Sequence, residues 1–559
     1  MREIDRLTTE RFATPSLLLM ESAARAAARE IEALFPEGIN GKSVLVLCGR
    51  GNNGGDGAAL ARQLCLSGAH VEVVLVGRVE ETNGHARINF ESVRALADAG
   101  AFRDTIDPDI SAFAYFAGTD GSLLFRECPT AEEWSHFIYE ESGAQSVDVI
   151  VDALFGTGLT RPLEGFYAEL AGLRSFRAIE ESPLYVVSLD LPSGLNADTG
   201  ELIGPAVEAD LTVTFTAPKP ANVLPPASLH NGRLVVADIG SPQTLIDEAP
   251  SRLYLTERMD ALAWLYRTRY APDSYKNTHG HALVVAGSRD MTGAAVLSAG
   301  AAMCAGAGLV TVATPASALP SVAARLMPEV MTAALAETVS GSVSFEAYEQ
   351  FESLRERATV VAVGCGLSHA EEETRRFVRE VVARRTTPVV VDADGLNALA
   401  PWPAGLRGTP DAPLVLTPHE GEMRRLLGAE DRGALRERTR VAAEFAASHG
   451  VVLVLKGSRT LVAAPDGRVY VNPTGNAGLG TAGSGDTLTG VITGFLAQAF
   501  GALGGEADAF EAVVAAVYVA GHAADLAAGE RGMRALVASD VRHYLGAALC
   551  ALDPEGEQP

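Results

Sequence analysis

Lysine is nearly missing from this chain: it stands only at positions 42, 219, 276 and 456, and the rest of its 45 bases are arginine. A lysine kept against such a bias calls for a chemical reason. Bases as a whole are also short, 45 against 70 acids, and the formal charge of −25 excludes a general grip on DNA, RNA or anionic lipid. The cysteines, Cys48, Cys65, Cys128, Cys304, Cys365 and Cys550, form no CxxC pair. Most lie in or beside apolar runs, so they read as reduced core residues of a cytoplasmic chain, neither zinc ligands nor a disulfide framework. The opening MREIDRLTTE has acids where a secretory signal would be apolar, and no export signal is expected. The best membrane candidate is the uncharged run from Met291 to Ala324, broken by Pro315 and Pro320. A buried helix followed by a strand accounts for it better.

What is present is an alternation of short β-branched runs with Ala-rich amphipathic stretches, the pattern of parallel strands covered on both faces by helices. Strands are expected at Ser43 to Leu47, Val71 to Val76, Val147 to Val151, Leu184 to Leu189, Leu211 to Phe215 and Leu234 to Ile239. A second set is expected at Ala282 to Ala286, Leu309 to Ala313, Val360 to Val363, Val389 to Asp392, Leu414 to Thr417, Val451 to Leu455 and Leu461 to Ala464. The proline- and charge-rich SPQTLIDEAPSR, Ser241 to Arg252, interrupts the alternation and predicts two α/β domains, residues 1–245 and 253–555. Acids outnumber bases in both. The segment from Phe102 to Ser146 has weak periodicity and reads as a surface excursion of the first domain.

Directly after the first strand the chain reads GRGNNGGDG, Gly49 to Gly57, and then enters a helical stretch. It contains a formal GxGxxG, but the following strand ends in Gly77 and Arg78, without the acid that a dinucleotide-binding dehydrogenase places there. Consecutive glycines at a helix start form a nest of amides for an anion, and Asn52, Asn53 and Asp56 add side-chain oxygens. A plain tight turn using Asn and Asp is the simpler alternative. Two further strand ends carry similar loops, VIVDALFGTGLTRPLEG with Asp152 and VVSLDLPSGLNADTG with Asp190 and Ser193. In open parallel sheets such ends share one crevice, and the oxygens of Asn53, Asp152 and Ser193 suit a hard cation.

In the second half, PTGNAGLGTAGSGDTLTGVITG sets Gly483, Ser484, Gly485 and Asp486 before an apolar helix. Amides at such a start hold a transferring phosphoryl group, and the aspartate accepts the attacking hydroxyl's proton. An acid favoured merely by helix electrostatics is the bland alternative. KGSRT, Lys456 to Thr460, follows another strand, and TPHEGEM places His419 after a third, either as a ligand contact or as a helix-start residue. No GxxxxGK[ST] is present, so a Walker-type NTPase is not supported.

GRGNNGGDG, DALFGTGLTRP and SLDLPSGLNADTG together resemble the signatures of the NAD(P)H-hydrate epimerase family. AGSRDMTGAA, VGCGLS, DADGLNAL, TPHEGEM, KGSRT and NAGLGTAGSGDTLTG, in this order, resemble the ADP-dependent NAD(P)H-hydrate dehydratases. The resemblance implies a Rossmann-like three-layer α/β/α domain followed by a ribokinase-like α/β domain. It implies potassium on Asn53, Asp152 and Ser193. It also implies hydrate contacts from Asn52, Asn53, Gly54, Gly55 and Asp56, from the loop Gly156, Thr157, Gly158, Leu159, Thr160, Arg161 and Pro162, and from Asp190 at the reacting ring. In the second domain it implies the adenine nucleotide on Lys456, Gly457, Ser458, Arg459, Thr460 and Gly485, and the hydrate on Ala294, Gly366, His419 and Asp486. LMESAA, Leu19 to Ala24, departs from a commoner LMENAG at Ser22 and Ala24, and Ala482 replaces a glycine.

The activity so implied is repair of hydrated NADH and NADPH (NADHX and NADPHX): interconversion of the R and S hydrates, then ADP-dependent dehydration of the S form to NAD(P)H, AMP and phosphate. The expected catalytic residues are Asp190 and Asp486, and Mg2+ is expected with ADP. The expected partners are small molecules, with no nucleic acid and no membrane, and a homo-oligomer is expected. Two other readings fit parts of the sequence: a ribokinase-like small-molecule kinase fused to a dinucleotide-binding module, and a first domain that senses a dinucleotide without chemistry.

Overall fold

The computed structural model describes residues 1–106, 121–139, 147–171 and 184–552. The chain divides into two compact units, Met1–Pro250 and Ser251–Pro559. The first holds a seven-stranded sheet of β1 (Ser43–Cys48), β2 (His70–Leu75), β3 (Ser122–Glu127), β4 (Val149–Ala153), β5 (Tyr185–Leu189), β6 (Leu211–Phe215) and β7 (Arg233–Ala237). Their order is β3-β2-β1-β4-β5-β6-β7, and every pairing is parallel. Central strands read as unbroken apolar runs because both faces are covered: β4 is buried throughout and β1 from Val44 onward. The helices Ser16–Glu32 and Asn52–Leu66 supply Ala23, Ala24, Ala27, Ala58, Ala59 and Ala61 to that cover, small side chains that let helix and sheet approach closely.

The order reverses between β1 and β4, and a crevice opens beyond their carboxyl ends. Gly49 shows how tightly it closes beneath: a Cβ there would stand 2.0 Å from the Leu154 carbonyl oxygen. The region expected to be a surface excursion is not one throughout. It contributes β3, paired in register with β2 from His70↔Ser122 to Leu75↔Glu127. β3 lies at the sheet edge with Leu124 exposed, so it lacks the buried run that marks its neighbours. It also holds a helix, Ala131–Tyr139, while residues 107–120 and 140–146 lie outside the described residues.

The second unit holds ten strands: β8 (Leu253–Leu255), β9 (His281–Val285), β10 (Leu309–Pro315), β11 (Met331–Leu335), β12 (Val360–Val363), β13 (Val389–Val391), β14 (Leu414–Leu416), β15 (Val452–Leu455), β16 (Leu461–Ala463) and β17 (Val469–Val471). The order is β11-β10-β9-β12-β13-β14-β15-β16-β17-β8, and only the β15–β16 and β16–β17 pairs are antiparallel. Sequence patterning misses β8, β11 and β17. Two of them span three residues, too few to show a period, and β11 exposes Met331 and Thr332 at the edge.

The run from Met291 to Ala324 is indeed a helix, Thr292–Cys304, then β10. That helix packs against Ser484–Ala502 at backbone distance, for a Cβ on Gly490 would stand 2.1 Å from the Ser298 carbonyl oxygen. Among the described residues, the helix long and apolar enough to cross a membrane is a different one, Ala509–Arg531, and it is mostly buried within the unit.

Candidate active sites

In the first unit the loops after β1, β4, β5 and β6 line a cavity of about 640 Å³, together with the helix Arg2–Phe12. Asn52, Asn53, Asp56, Gly156, Thr157, Gly158, Leu159, Thr160, Arg161 and Asp190 all face it. Gly54, Gly55 and Pro162 do not line it. Gly54 and Gly55 lie in the first turn of the helix, where a Cβ would strike the Gly49 carbonyl and the Ala86 backbone, at 1.8 and 2.7 Å. Gly54 brings the helix start onto the turn after β1, and Gly55 lets the helix Gly84–Ile106 pack against it. Leu19 and Met20 of LMESAA reach the wall.

Asp190 takes a left-handed backbone conformation, φ 64°, which turns the chain sharply at the end of β5. Its carboxylate accepts hydrogen bonds from Lys219 Nζ and from Thr214 Oγ1 at 3.1 Å. Lys219 is itself buried and also donates to Thr214 Oγ1 at 2.9 Å and the Phe215 carbonyl at 3.0 Å. This lysine has no place among the residues read from sequence. Its only signal is the rarity of lysine in the chain. Asp56 and Asp5 share the cavity. Burial, joined by the charges of Asp190 and Asp5, pushes Asp56 well above the usual carboxylate range against the pull of Lys219.

The three residues expected to hold a cation meet around the loop after β4. Asp152 is fully buried and accepts from Ser193 Oγ (2.5 Å), the Ser193 amide (2.8 Å) and Ser188 Oγ (2.9 Å). Ser193 Oγ in turn accepts from the Phe155 amide at 2.9 Å. The Asn53 side chain lies against Gly156, and both its amide oxygen and its amide nitrogen are buried without a protein partner. A buried amide oxygen left unpaired is costly, and a bound cation would satisfy that oxygen. The donor set fits potassium in chemistry.

In the second unit, β13 and β15 end beside the start of the helix Ser484–Ala502. Gly483 caps that helix in the left-handed region, φ 85°, and Asp486 stands in its first turn. Lys456, just beyond β15, donates to Asp392 Oδ1 at 2.8 Å, and Thr489 Oγ1 donates to Asp392 Oδ2 at 2.7 Å. A Cβ on Gly485 would lie 3.3 Å from Lys456 Nζ, so the ammonium sits over the GSGD turn. Burial, reinforced by the charge of Asp392, raises Asp486 to about 6, while Cys365 and Lys456 act in the opposite sense. For Lys456, burial disfavours the ammonium, but Asp392 and Glu422 outweigh it and the pKa rises.

Gly366 stands against Ala294, where a Cβ would meet the alanine Cβ at 2.8 Å, and its neighbour Cys365 lies beside Asp392 and Asp486. Gly457, Ser458, Arg459 and Thr460 form a tight turn with φ 152° at Gly457 and φ 56° at Arg459. Arg438 braces it by donating to the Ser458 and Lys456 carbonyls at 3.1 and 3.4 Å. His419 is a helix-start residue: its Nδ1 accepts from the amides of Gly421 and Glu422 at 2.9 and 3.3 Å, and the rest of the ring is largely exposed. Asp392 and Arg438 are absent from the residues read from sequence. Asp392 belongs to DADGLNAL, whose pattern alone does not say which of its acids turns inward.

Two α/β units, each with a buried acid beside glycine-built loops and a lysine, define an enzyme with two separate sites. A family profile described as NAD(P)H-hydrate dehydratase matches residues 282–546, and one described as YjeF-related protein N-terminus matches residues 16–221. The chain is similar to the bifunctional NAD(P)H-hydrate repair enzyme of Moorella thermoacetica, 39% identical over 559 residues, covering 100% of this chain and 97% of the relative. It is likewise 39% identical over 554 residues to the enzyme of the same name from Thermofilum pendens, covering 99% and 96%. Among solved structures it is similar to the ADP/ATP-dependent NAD(P)H-hydrate dehydratase from Bacillus subtilis co-crystallized with ATP/Mg2+, with 32% identity and a TM-score of 0.46 over 54% of this chain and 98% of that one. The chain belongs to the family of bifunctional NAD(P)H-hydrate repair enzymes.

Proposed function

We propose that this chain repairs NADH and NADPH that have taken up water across the nicotinamide ring, residues 1–245 exchanging the R and S hydrates and residues 253–555 dehydrating the S form with ADP. The observation that carries the second half is Asp486, an acid raised to about 6 in the first turn of Ser484–Ala502 beside the Lys456 ammonium. It accepts the C6 hydroxyl proton as that oxygen attacks the β-phosphorus of ADP. The new O–P bond forms while the bond to the AMP oxygen breaks and AMP takes the electron pair. The ring nitrogen lone pair then expels phosphate from C6, and the released phosphate takes a C5 proton, which restores the dihydropyridine. Lys456 and the amides around Gly485 receive the charge on the transferring group. Mg2+ enters with the nucleotide as part of the substrate.

In the first unit the same lone pair expels the C6 hydroxyl to give an iminium, and water returns to the other face. Asp190, held by Lys219 at the cavity wall, handles the protons of these steps. Asn53, Asp152 and Ser193 would hold potassium, which supplies a fixed positive charge under the loops that receive the phosphates. The carboxylate and hydroxyl there already brace the 152–155 loop without it. We place the enzyme in the cytoplasm, where its substrates arise.

The reading is tested by supplying hydrated NADH with ADP and Mg2+ and following absorbance at the reduced-nicotinamide band. Recovery of NADH with equal release of AMP and phosphate is expected. A stable phosphorylated alcohol without recovery would instead identify a small-molecule kinase.

A further inference from the structure

Asp392 has no part in the steps above, yet it sits at the centre of the second site. It directly follows β13, with its side chain almost wholly buried. One carboxylate oxygen takes the Lys456 ammonium and the other takes the Thr489 hydroxyl, at 2.8 and 2.7 Å. Thr489 lies one turn beyond Asp486 on the same helix. A single carboxylate thus ties the end of β15 to the helix start that carries the acid–base residue. Carboxylate oxygens of Asp392 and Asp486 and the Cys365 sulfur lie within 4.8 Å of one another. Besides Asp392 and Cys365, the charges that reach Asp486 are those of Lys456 and Asp394. A second acid, Glu422, stands 4.0 Å from Lys456.

A buried ion pair is a weak source of stability, since desolvation offsets most of its Coulomb gain. What this pair does supply is direction: without Asp392, a flexible four-carbon ammonium would have only Glu422 to hold it near Gly485. We infer that Asp392 is a positioning residue of the dehydratase site, holding Lys456 over Gly485 for the nucleotide phosphates and keeping a fixed negative charge beside Asp486. This rests on the dehydratase reading of that site.

Charge and position predict opposite signs, which makes the inference testable. Removing a carboxylate near an anion should by charge alone tighten ADP. Loss of the lysine's anchor should weaken it. We expect Asp392→Asn in the full-length enzyme to bind Mg2+–ADP roughly tenfold more weakly by calorimetry, the loss of about one charged hydrogen bond. The acid limb of its dehydration profile should also move to lower pH. Thr489→Val, which leaves every charge in place, removes one of the two hydrogen bonds that orient Asp392 and should weaken ADP by roughly threefold, less than loss of the carboxylate itself. Equal or tighter ADP binding in Asp392→Asn would overturn the inference, as would an unmoved acid limb. If Asp392→Asn does not fold, unchanged ADP binding in Thr489→Val does the same. ADP binding is read without the hydrate, so a wild-type enzyme that fails to restore NADH defeats the functional reading separately.

Discussion

Lys219 donates to the Asp190 carboxylate at the wall of the N-terminal cavity; the lysine is buried, and the carboxylate is mostly withdrawn from water. A buried carboxylate stripped of its cation must be desolvated unpaired, reorient or take up a proton. Lys219→Met is therefore expected to slow epimer exchange by roughly 10- to 100-fold, the worth of a charge-assisted hydrogen bond. Chiral chromatography of the two hydrates checks it. Dehydration of purified S hydrate should be unaltered.

Asp190→Asn keeps the shape of the side chain and removes its proton-transfer role. Epimer exchange should fall by about 10^2- to 10^4-fold, the usual contribution of a general acid or base. Exchange at the wild-type rate would return the first unit to a dinucleotide sensor.

Asp486 is raised to about 6 mainly by burial and then by Asp392. As the base it must be ionised, so dehydration should be lost as pH falls through about 6 and reach a plateau above it. The pH profile of kcat/KM for the S hydrate at saturating ADP reads this directly. Asp486→Asn should abolish the acid limb along with the activity.

The buried Asn53 amide has no protein partner. KCl, compared with choline chloride at equal ionic strength, should therefore raise the melting temperature of the wild-type enzyme. It should leave that of Asn53→Leu unmoved. The melting curve needs no turnover, so it reads ion binding by itself.

Gly49→Ala would drive a Cβ into the Leu154 carbonyl. Backbone must shift to relieve it, and a loss of about 1–3 kcal/mol is expected, as for overpacking in general. Denaturant titration of the full chain checks it.

Much of this architecture is legible in the residues. Parallel strands such as VLVLC and VIVDA read as buried runs because both faces are covered, and their ends carry the loops that line the N-terminal cavity. Two edge strands, β3 and β11, are missed for the converse reason: each carries exposed side chains that break the buried run. Asp486 is found from its place before an apolar helix, whereas Asp392 and Lys219 act through partners 64 and 29 residues away in the chain. No local pattern encodes such pairs. His419 shows the limit from the other side, since capping a helix and contacting a ligand ask for the same residue at the same place.

The central claim is that one chain carries both steps. The direct test is to give an equilibrated mixture of R and S hydrates to the full-length enzyme with excess ADP and Mg2+, and to measure the fraction returned as NADH faster than the epimers exchange unaided. We expect conversion of the whole mixture by the wild-type enzyme and arrest at the S fraction for Asp190→Asn. Arrest at the S fraction in the wild type, or full conversion in Asp190→Asn, would contradict it.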